Sequence, residues 1–296
     1  MAELEQDNRK HQSHDWANQT MADKRAHRQS NHQSRMARVY DKYFSTGFYH
    51  LRYPDANKNT LHYIYTELQK LESGPKHILD FGCGSGRYLL PILKNTQYNF
   101  TAYDICGTPL KLLNERLDIE DGHNRVSVLH GDLEQLTQHI EKEGKADLIL
   151  LMFGVLSHVG DRATRLNLLR QLGTFLANES SRIILSVPNQ LRRFTNNNGS
   201  YSPADKEPGN ITYSRNFQGT ELKFFYHLYT PETLVAELNE AGLMVHKICA
   251  ESFFPESWVT SSDMVGMLDK AICKILPTCK GYGILAVVGL DKTSGK

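Results

Sequence analysis

The feature that most constrains the fold is a regular alternation of short apolar runs and helical patterns along the chain. The apolar runs predict strands, and the segments between them carry apolar residues at helical spacing. Strands that alternate with helices form a parallel sheet with right-handed crossovers. The predicted strands are residues 77–80, 100–103, 126–129, 148–152, 182–187, 243–250 and 283–290. We therefore expect an α/β fold with a mostly parallel seven-stranded sheet and helices on both faces.

A glycine-rich loop follows the first predicted strand. It contains Gly82, Gly84 and Gly86 in the pattern GxGxG, just after Asp80. Glycines let the chain turn tightly and let a ligand lie against bare backbone, at the carboxyl end of a strand and the start of a helix. A dinucleotide site would have GxGxxG, but Arg87 holds the sixth position, so the loop favours a ligand without a pyrophosphate. Asp80 would repel phosphate and suits a cationic ligand.

Two further acids stand at the ends of the next two strands. Asp104 ends the second strand, and Asp132 follows the third, within Gly131–Asp132–Leu133. A carboxylate at the first place can accept from both hydroxyls of a ribose, and one at the second place can accept from an adenine amino group. Strand-end capping would explain any one acid alone. Taken together, the pattern predicts a cofactor site formed by Asp80, Gly82, Gly84, Gly86, Asp104, Asp132 and Leu133.

From about residue 78 to 250 the sequence resembles class I S-adenosylmethionine-dependent methyltransferases. Ubiquinone-type O-methyltransferases have segments similar to Met152–Val159, Ile184–Asn189 and His227–Leu234. The tRNA wobble-uridine methyltransferases are similar around Tyr226–Tyr229. The resemblance implies a Rossmann-like class I fold with an insert after the fifth strand. It also implies S-adenosylmethionine as cofactor, whose methionine portion carries an ammonium and a sulfonium.

Two histidines are candidate catalytic residues. An oxygen or nitrogen acceptor can need to lose a proton, and a histidine can take that proton near neutral pH. His158 follows the fourth strand, on the rim where acceptors bind in similar folds, although it could instead cap the next helix or support the cofactor loop. His227 lies among aromatic residues and could line the acceptor pocket or pack in the core. Ser157 stands where the similar families often have an acid, so we expect no metal.

Residues 190–229, after the fifth strand, form the predicted substrate-side insert. Its first half is polar and has no clear period, which predicts a long loop, and its second half is apolar and aromatic. Arg192 and Arg193 could hold an anionic acceptor or lie solvated on the surface. Tyr226 in the insert and Tyr40 before the sheet could close the acceptor pocket from two sides.

Residues 1–35 are rich in polar and charged side chains and predict a disordered arm before a methyltransferase domain of residues 36–296. The formal net charge is only +1, with 34 Lys and Arg against 33 Asp and Glu, which gives no support for global attraction to nucleic acid. The alternative is an arm that touches nucleic acid through Lys24, Arg25, Arg28 and Arg35.

The five cysteines form neither a CxxC pair nor a zinc-ligand cluster, which is typical of free thiols in a reducing cytoplasm. The longest apolar runs are too short to span a bilayer. We therefore predict a cytoplasmic methyltransferase that acts on oxygen of a small-molecule acceptor. A tRNA methyltransferase is the alternative, and a non-catalytic binding module with the cofactor fold is a weaker one. The GxGxG spacing counts against a nicotinamide oxidoreductase. The sequence does not indicate an oligomeric state.

Overall fold

A computed structural model describes residues 29–71, 76–195 and 201–290. The strands of this part of the chain are β1 His77–Phe81, β2 Asn99–Asp104, β3 Val126–His130, β4 Leu148–Leu151, β5 Arg182–Pro188, β6 Tyr201–Pro203, β7 Asn210–Phe217, β8 Thr220–His227, β9 Leu243–Ser252 and β10 Gly283–Leu290. Seven of them form one sheet in the order β3-β2-β1-β4-β5-β10-β9. Strand β10 runs antiparallel to both neighbours, and the other pairs are parallel. The predicted Rossmann-like class I fold is confirmed.

The helices cover both faces of this sheet. They are α1 (residues 29–45), α2 Phe48–Arg52, α3 Lys58–Leu68, α4 Leu89–Asn95, α5 Gly107–Glu120, α6 Leu133–Glu143, α7 Arg162–Thr174, α8 Pro231–Glu240, α9 Glu256–Val259 and α10 Asp263–Cys273. Within the described ranges, none of them is long and apolar enough to cross a membrane.

Alternating side chains of the strands supply two apolar cores. In β1, Ile78 packs into the core on one face and Leu79 into the core on the other, and both are fully buried. This alternation is the two-residue period of a strand that is covered on both sides. Strand order reverses between β1 and β4, which lie side by side at the centre of the sheet. The crevice at their carboxyl ends is where open α/β sheets bind ligands.

The insert after β5 is a three-stranded antiparallel sheet, β6-β7-β8, so the prediction of a long loop for its first half is wrong. Strand β7 alternates buried residues such as Ile211 and Tyr213 with more exposed polar ones. Gln218 and Gly219, both with positive φ, close a two-residue hairpin onto β8. The many polar residues on the outer side of β7 hide this two-residue period in the sequence.

The predicted boundary of the disordered arm, at residue 35, is placed too far along the chain. Residues 29–35 are helical and form the start of α1. The physical reason is that α1 has a partner for its apolar side. Met36, Tyr43 and Phe44 are buried against the insert, in a cluster that also contains Phe224 of β8. Residues 1–28, with Lys24, Arg25 and Arg28, lie outside the described ranges.

This cluster should be a main source of the free energy that holds the insert and α1 together. Phe224 is 1% exposed, so Phe224→Ala leaves a cavity and should lower the free energy of unfolding by about 3–5 kcal/mol. Trp258, which is 60% exposed, is the control, and Trp258→Ala should cost much less. Urea denaturation measures both variants. Equal losses would show that the aromatic cluster is not a core.

Candidate active site

The glycine loop turns sharply at the carboxyl end of β1. Gly82, Gly84 and Gly86 all have positive φ, at 74°, 55° and 81°. A Cβ atom on Gly82 would come within 2.6 Å of the Val155 side chain, and one on Gly86 within 2.6 Å of Leu113. Other residues would be strained at these positions and would collide with their neighbours. Gly82 and Gly84 leave bare backbone facing a cavity, whereas Gly86 lets the loop pack against α5.

Asp104 fastens this loop to β2. Its Oδ2 accepts from the Gly84 amide at 2.8 Å, and its Oδ1 accepts from the Cys106 amide at 2.9 Å. Burial raises the pKa of Asp104, although these two hydrogen bonds oppose the rise. Asp80 is also buried, and burial together with the charge of Asp104 raises the pKa of Asp80 to about 7. Two desolvated carboxylates side by side favour a cationic ligand.

A cavity of about 350 Å³ opens in front of the loop. It brings together six of the residues singled out in the sequence: Tyr40, Gly82, Gly84, Asp104, Leu133 and His158. Asp80 lies behind the lining, only 3% exposed. Asp132 lies outside the lining too, and its Oδ1 caps α6 by accepting from the Gln135 amide at 3.0 Å.

Residues 53–248 match the family model of a methyltransferase domain. The chain belongs to this methyltransferase family. A search of curated proteins finds no match.

Solved methyltransferase structures have the same fold. CcbJ methyltransferase from Streptomyces caelestis is 13% identical, with a TM-score of 0.56 over 80% of this chain and 90% of that one. An S-adenosylmethionine-dependent methyltransferase from Clostridium acetobutylicum is 14% identical, with a TM-score of 0.54 over 87% and 98%. The glycopeptide N-methyltransferase MtfA, in complex with S-adenosylhomocysteine, is 15% identical, with a TM-score of 0.53 over 80% and 91%.

The cavity fits the cofactor that this family membership implies. The bare backbone of Gly82 and Gly84 and the carboxylate of Asp104 lie on one side of it, and the apolar Ile105 and Leu133 are also in the lining. Backbone that a ligand can approach closely, one acid and an apolar slot are the features that an adenosine with a cationic tail requires. The prediction of an S-adenosylmethionine-dependent methyltransferase is confirmed.

A hydrogen-bonded chain crosses the far wall of the cavity. The Nδ1 of His158 lies 2.9 Å from the backbone oxygen of Phe225 in β8, and its Nε2 lies 2.5 Å from the hydroxyl of Tyr40 in α1. His32, also in α1, donates from Nε2 to the backbone oxygen of His158 at 2.8 Å. Burial lowers the pKa of His158 to about 3, so the ring is neutral at physiological pH.

His227 is placed away from the cavity, in contrast to the interpretation that it lines the acceptor pocket. It is 6% exposed, and its Nδ1 lies 2.6 Å from Oδ1 of Asn210. Its side chain faces α7 and α8, where Arg165 bridges Glu237 and Glu207 at 3.0 and 2.5 Å. Since β8 alternates sides at each residue, His227 points away from the face that Tyr226 shares with His158.

The other predicted substrate residues of the insert do not all lie together: Tyr226 and Arg193 have neighbouring side chains, and the side chain of Arg192 is not near them. Tyr226 is buried, with its ring centroid 4.6 Å from that of His158. Arg193 is partly buried among aromatic rings, with its Cζ 5.3 Å from the centroid of Tyr226 and 4.9 Å from that of Tyr282. Arg192 points elsewhere, donating to the backbone oxygen of Lys280 at 2.6 Å.

Some cavity residues carry no recognisable pattern in the sequence. Gln29, His32 and Gln33 line the cavity from the segment that was predicted to be a disordered arm. Phe153 lines it from the turn after β4, with a positive φ of 62° that is rare for a bulky residue. Its sequence signals were its place directly after a predicted strand and within the Met152–Val159 segment that resembles O-methyltransferases.

Asp80 should make cofactor binding depend on pH. Because a cationic ligand favours the carboxylate, the group with a pKa of about 7 must be ionised for tight binding. The affinity for S-adenosylmethionine should rise about tenfold between pH 5.5 and 7, as the ionised fraction grows. Calorimetry of Asp80→Asn should give weaker binding with little dependence on pH. A flat profile in the wild-type protein would contradict this role for Asp80.

Two desolvated histidines, His158 in the cavity wall and the buried His227, should make the protein less stable in acid. Burial lowers the pKa of both His158 and His227 to about 3, so below pH 6.5 the unfolded chain takes up protons that the folded chain does not. By pH 5 each should cost about 2 kcal/mol of the free energy of unfolding. The raised pKa of Asp80 has the opposite effect, because its protonation stabilises the folded chain in acid and masks part of the loss. The test therefore compares variants by urea denaturation at pH 7 and pH 5. His227→Gln should reduce the loss, and His123→Gln, at an exposed site, should not. Identical pH dependence in all three proteins would refute this assignment.

Proposed function

We propose that this chain methylates an oxygen of a small-molecule acceptor, and that Tyr40 and His158 take up the proton which the acceptor releases. The observation that carries the proposal is the hydrogen bond between Tyr40 and His158 in the wall of the cofactor cavity. S-adenosylmethionine supplies a methyl group that its sulfonium already activates. The protein then has to align the acceptor, exclude water and move one proton.

The hydrogen bonds of His158 fix its tautomer. The backbone oxygen of Phe225 can only accept, so Nδ1 carries the proton and donates it. The lone pair of Nε2 is therefore directed at Tyr40, whose hydroxyl donates to it. A ring that is held in this way by a second partner is oriented as a proton acceptor before any substrate arrives.

The pair provides a route for the proton. An acceptor hydroxyl in the cavity donates a hydrogen bond to the oxygen of Tyr40. The acceptor oxygen attacks the methyl carbon, the carbon–sulfur bond breaks, and its electron pair stays on sulfur. The methylated oxygen then gives its proton to Tyr40, whose own proton passes to Nε2 of His158. A pKa of about 3 suffices for His158, because an oxygen that has just received a methyl cation is a much stronger acid. The proton then leaves the ring, which lines the cavity, for solvent.

In our proposal the insert, residues 190–229, supports the acceptor side of this cavity from behind, since none of its described residues is in the lining itself. Phe225 of β8 supplies the carbonyl that orients His158, and its ring meets that of His32 edge-on at 4.7 Å. Tyr40 packs edge-on against Phe224 at 5.4 Å. These buried rings exclude water from the place where the proton moves, which strengthens the electrostatic interactions there.

Tyr40→Phe tests the proton route while keeping the ring. We expect methyl transfer to slow by about 10²–10⁴-fold, because the acceptor proton loses its path, with cofactor affinity and melting temperature close to wild type. Tyr63→Phe, which removes a hydroxyl on α3 outside the cavity, should leave the rate unchanged. The assay follows labelled methyl groups from the cofactor into the low-molecular-mass fraction of a cell extract. A Tyr40→Phe enzyme with the wild-type rate would overturn the role of the pair.

The same assay separates the alternative acceptor class. Transfer into material that nuclease destroys would favour a tRNA methyltransferase, the second function that the sequence resembles. Transfer that is unaffected by nuclease and is recovered in the small-molecule fraction would support the proposal.

A further inference from the structure

An unusual group of arginines surrounds one tyrosine behind the cavity wall. Arg52 donates from Nε to the hydroxyl of Tyr53 at 3.0 Å, and Arg215 donates to the same hydroxyl at 3.5 Å. Arg87 donates to the backbone oxygen of Tyr53 at 3.4 Å, and its Cζ lies 5.0 Å from the centroid of the Tyr53 ring. Arg193 acts electrostatically on Tyr53 from the insert side. We call these four arginines and Tyr53 the arginine cluster.

Several donors of the cluster are buried without partners. Nε and Nη1 of Arg87 and Nε of Arg193 are inaccessible to solvent and make no hydrogen bond with the described part of the chain. Aromatic rings stack on both guanidinium groups, the closest being Phe153 at 4.1 Å from Cζ of Arg87. A ring face attracts the positive charge but accepts N–H donors poorly. Buried, unpaired charged donors are costly, so this arrangement calls for a compensating acceptor.

Acids of the protein do not supply that acceptor. Within residues 29–71, 76–195 and 201–290, no carboxylate oxygen forms an ion pair within 4.0 Å of the four guanidinium groups. Glu251 and Glu256 are the buried acids on this side. Burial raises the pKa of both, that of Glu251 to about 8, whereas the charge of Arg193 on both acids and that of Arg87 on Glu256 oppose the rise. Burial alone would raise the pKa of Tyr53 as well, but Arg215, Arg52 and Arg193 lower it. The four arginines outnumber these two acids, so the cluster keeps an excess of positive charge.

The cluster lies one side chain away from the cavity. Phe153 lines the cavity and stacks on Arg87. Tyr226 connects the two places from the insert, with its ring 4.6 Å from that of His158 and 5.3 Å from Cζ of Arg193. A small molecule that reaches past these two rings would have one end at the arginines and the other beside Tyr40 and His158.

We infer that the arginine cluster binds an anionic group of the methyl acceptor, a phosphate or a carboxylate. The planar guanidinium group of arginine presents paired N–H donors that match the oxygens of both groups. The solvent-inaccessible nitrogens of Arg87 and Arg193 favour a small anion over the exposed backbone of a nucleic acid. This inference rests on the proposed function and adds to it the chemical class of the substrate.

The first test uses inorganic phosphate and acetate as probes on the protein saturated with S-adenosylhomocysteine. At constant ionic strength against sodium chloride, one of the two anions should raise the melting temperature by a few degrees. Arg193→Gln and Arg215→Gln should weaken that response at least tenfold. Arg215 lies on a different element, β7, so its replacement gives a second variant that keeps the test valid if Arg193→Gln fails to fold. Arg192→Gln is the matched control, since Arg192 contacts Lys280 and Phe253 instead. No response to either anion, or equal responses in all four proteins, would overturn the inference.

The second test asks whether the methylated product is an anion. The labelled product from the wild-type enzyme should be retained on an anion-exchange column at pH 7, and Arg215→Gln should yield at least tenfold less of it. A labelled product that is neutral at pH 7 would refute the anion site and leave the proposed methyl transfer intact. If no methyl group is transferred at all, the proposed function fails, and phosphate or acetate binding still decides the anion site separately.

Discussion

The hydrogen bonds on His158 are the constraint on which the site depends. They join three segments that are far apart in the sequence: α1 through Tyr40, the turn after β4 through His158 itself, and β8 through the carbonyl of Phe225. Because the ring is desolvated and neutral, each of its nitrogens needs its partner, and losing either partner leaves a polar group without its hydrogen bond. The same contacts place α1 at the carboxyl edge of the sheet, where Met36, Tyr40 and Phe44 line the cavity, and they connect the insert to it.

The charges around this cavity are divided between two sides. Asp80 and Asp104 lie behind the glycine loop, and a cationic cofactor compensates two acids that burial makes hard to ionise. The arginine cluster lies on the insert side, behind Phe153 and Tyr226. In our account the cationic cofactor compensates the acids on its side, and the anionic acceptor compensates the arginines on the insert side. Their reacting ends then meet in the aromatic-lined space between them, from which water is excluded.

The sequence predicts the parts of the molecule that obey local rules. The seven strands of the main sheet and the glycine loop follow from periodicity and from backbone conformations that only glycine adopts easily, and Asp104 follows from its place at a strand end. The insert strand β7 was missed because its outward residues are polar and it pairs only with its own hairpin partner and β6. The start of α1 was missed because residues 29–35 have few apolar side chains, and their order comes from contacts such as that of His32 with His158.

The candidate site is predictable only in part for the same reason. Tyr40 and His158 were each singled out, but nothing in the sequence indicates that they touch. In the sequence His227 resembles a pocket residue, but in the structure the alternation of side chains along β8 places it on the opposite face. Arg193 was one of two neighbouring arginines, and only the fold separates it from Arg192 and adds Arg52, Arg87 and Arg215 to it. Such groupings depend on long-range packing, which no local pattern encodes.

The most direct test of the account is a crystal structure of the protein in complex with S-adenosylhomocysteine. The account predicts the ribose on Asp104, the adenine beside Leu133, and the sulfur on the side of the cavity where Tyr40 and His158 meet. A ligand bound outside this cavity, or one whose sulfur points away from Tyr40, would contradict it.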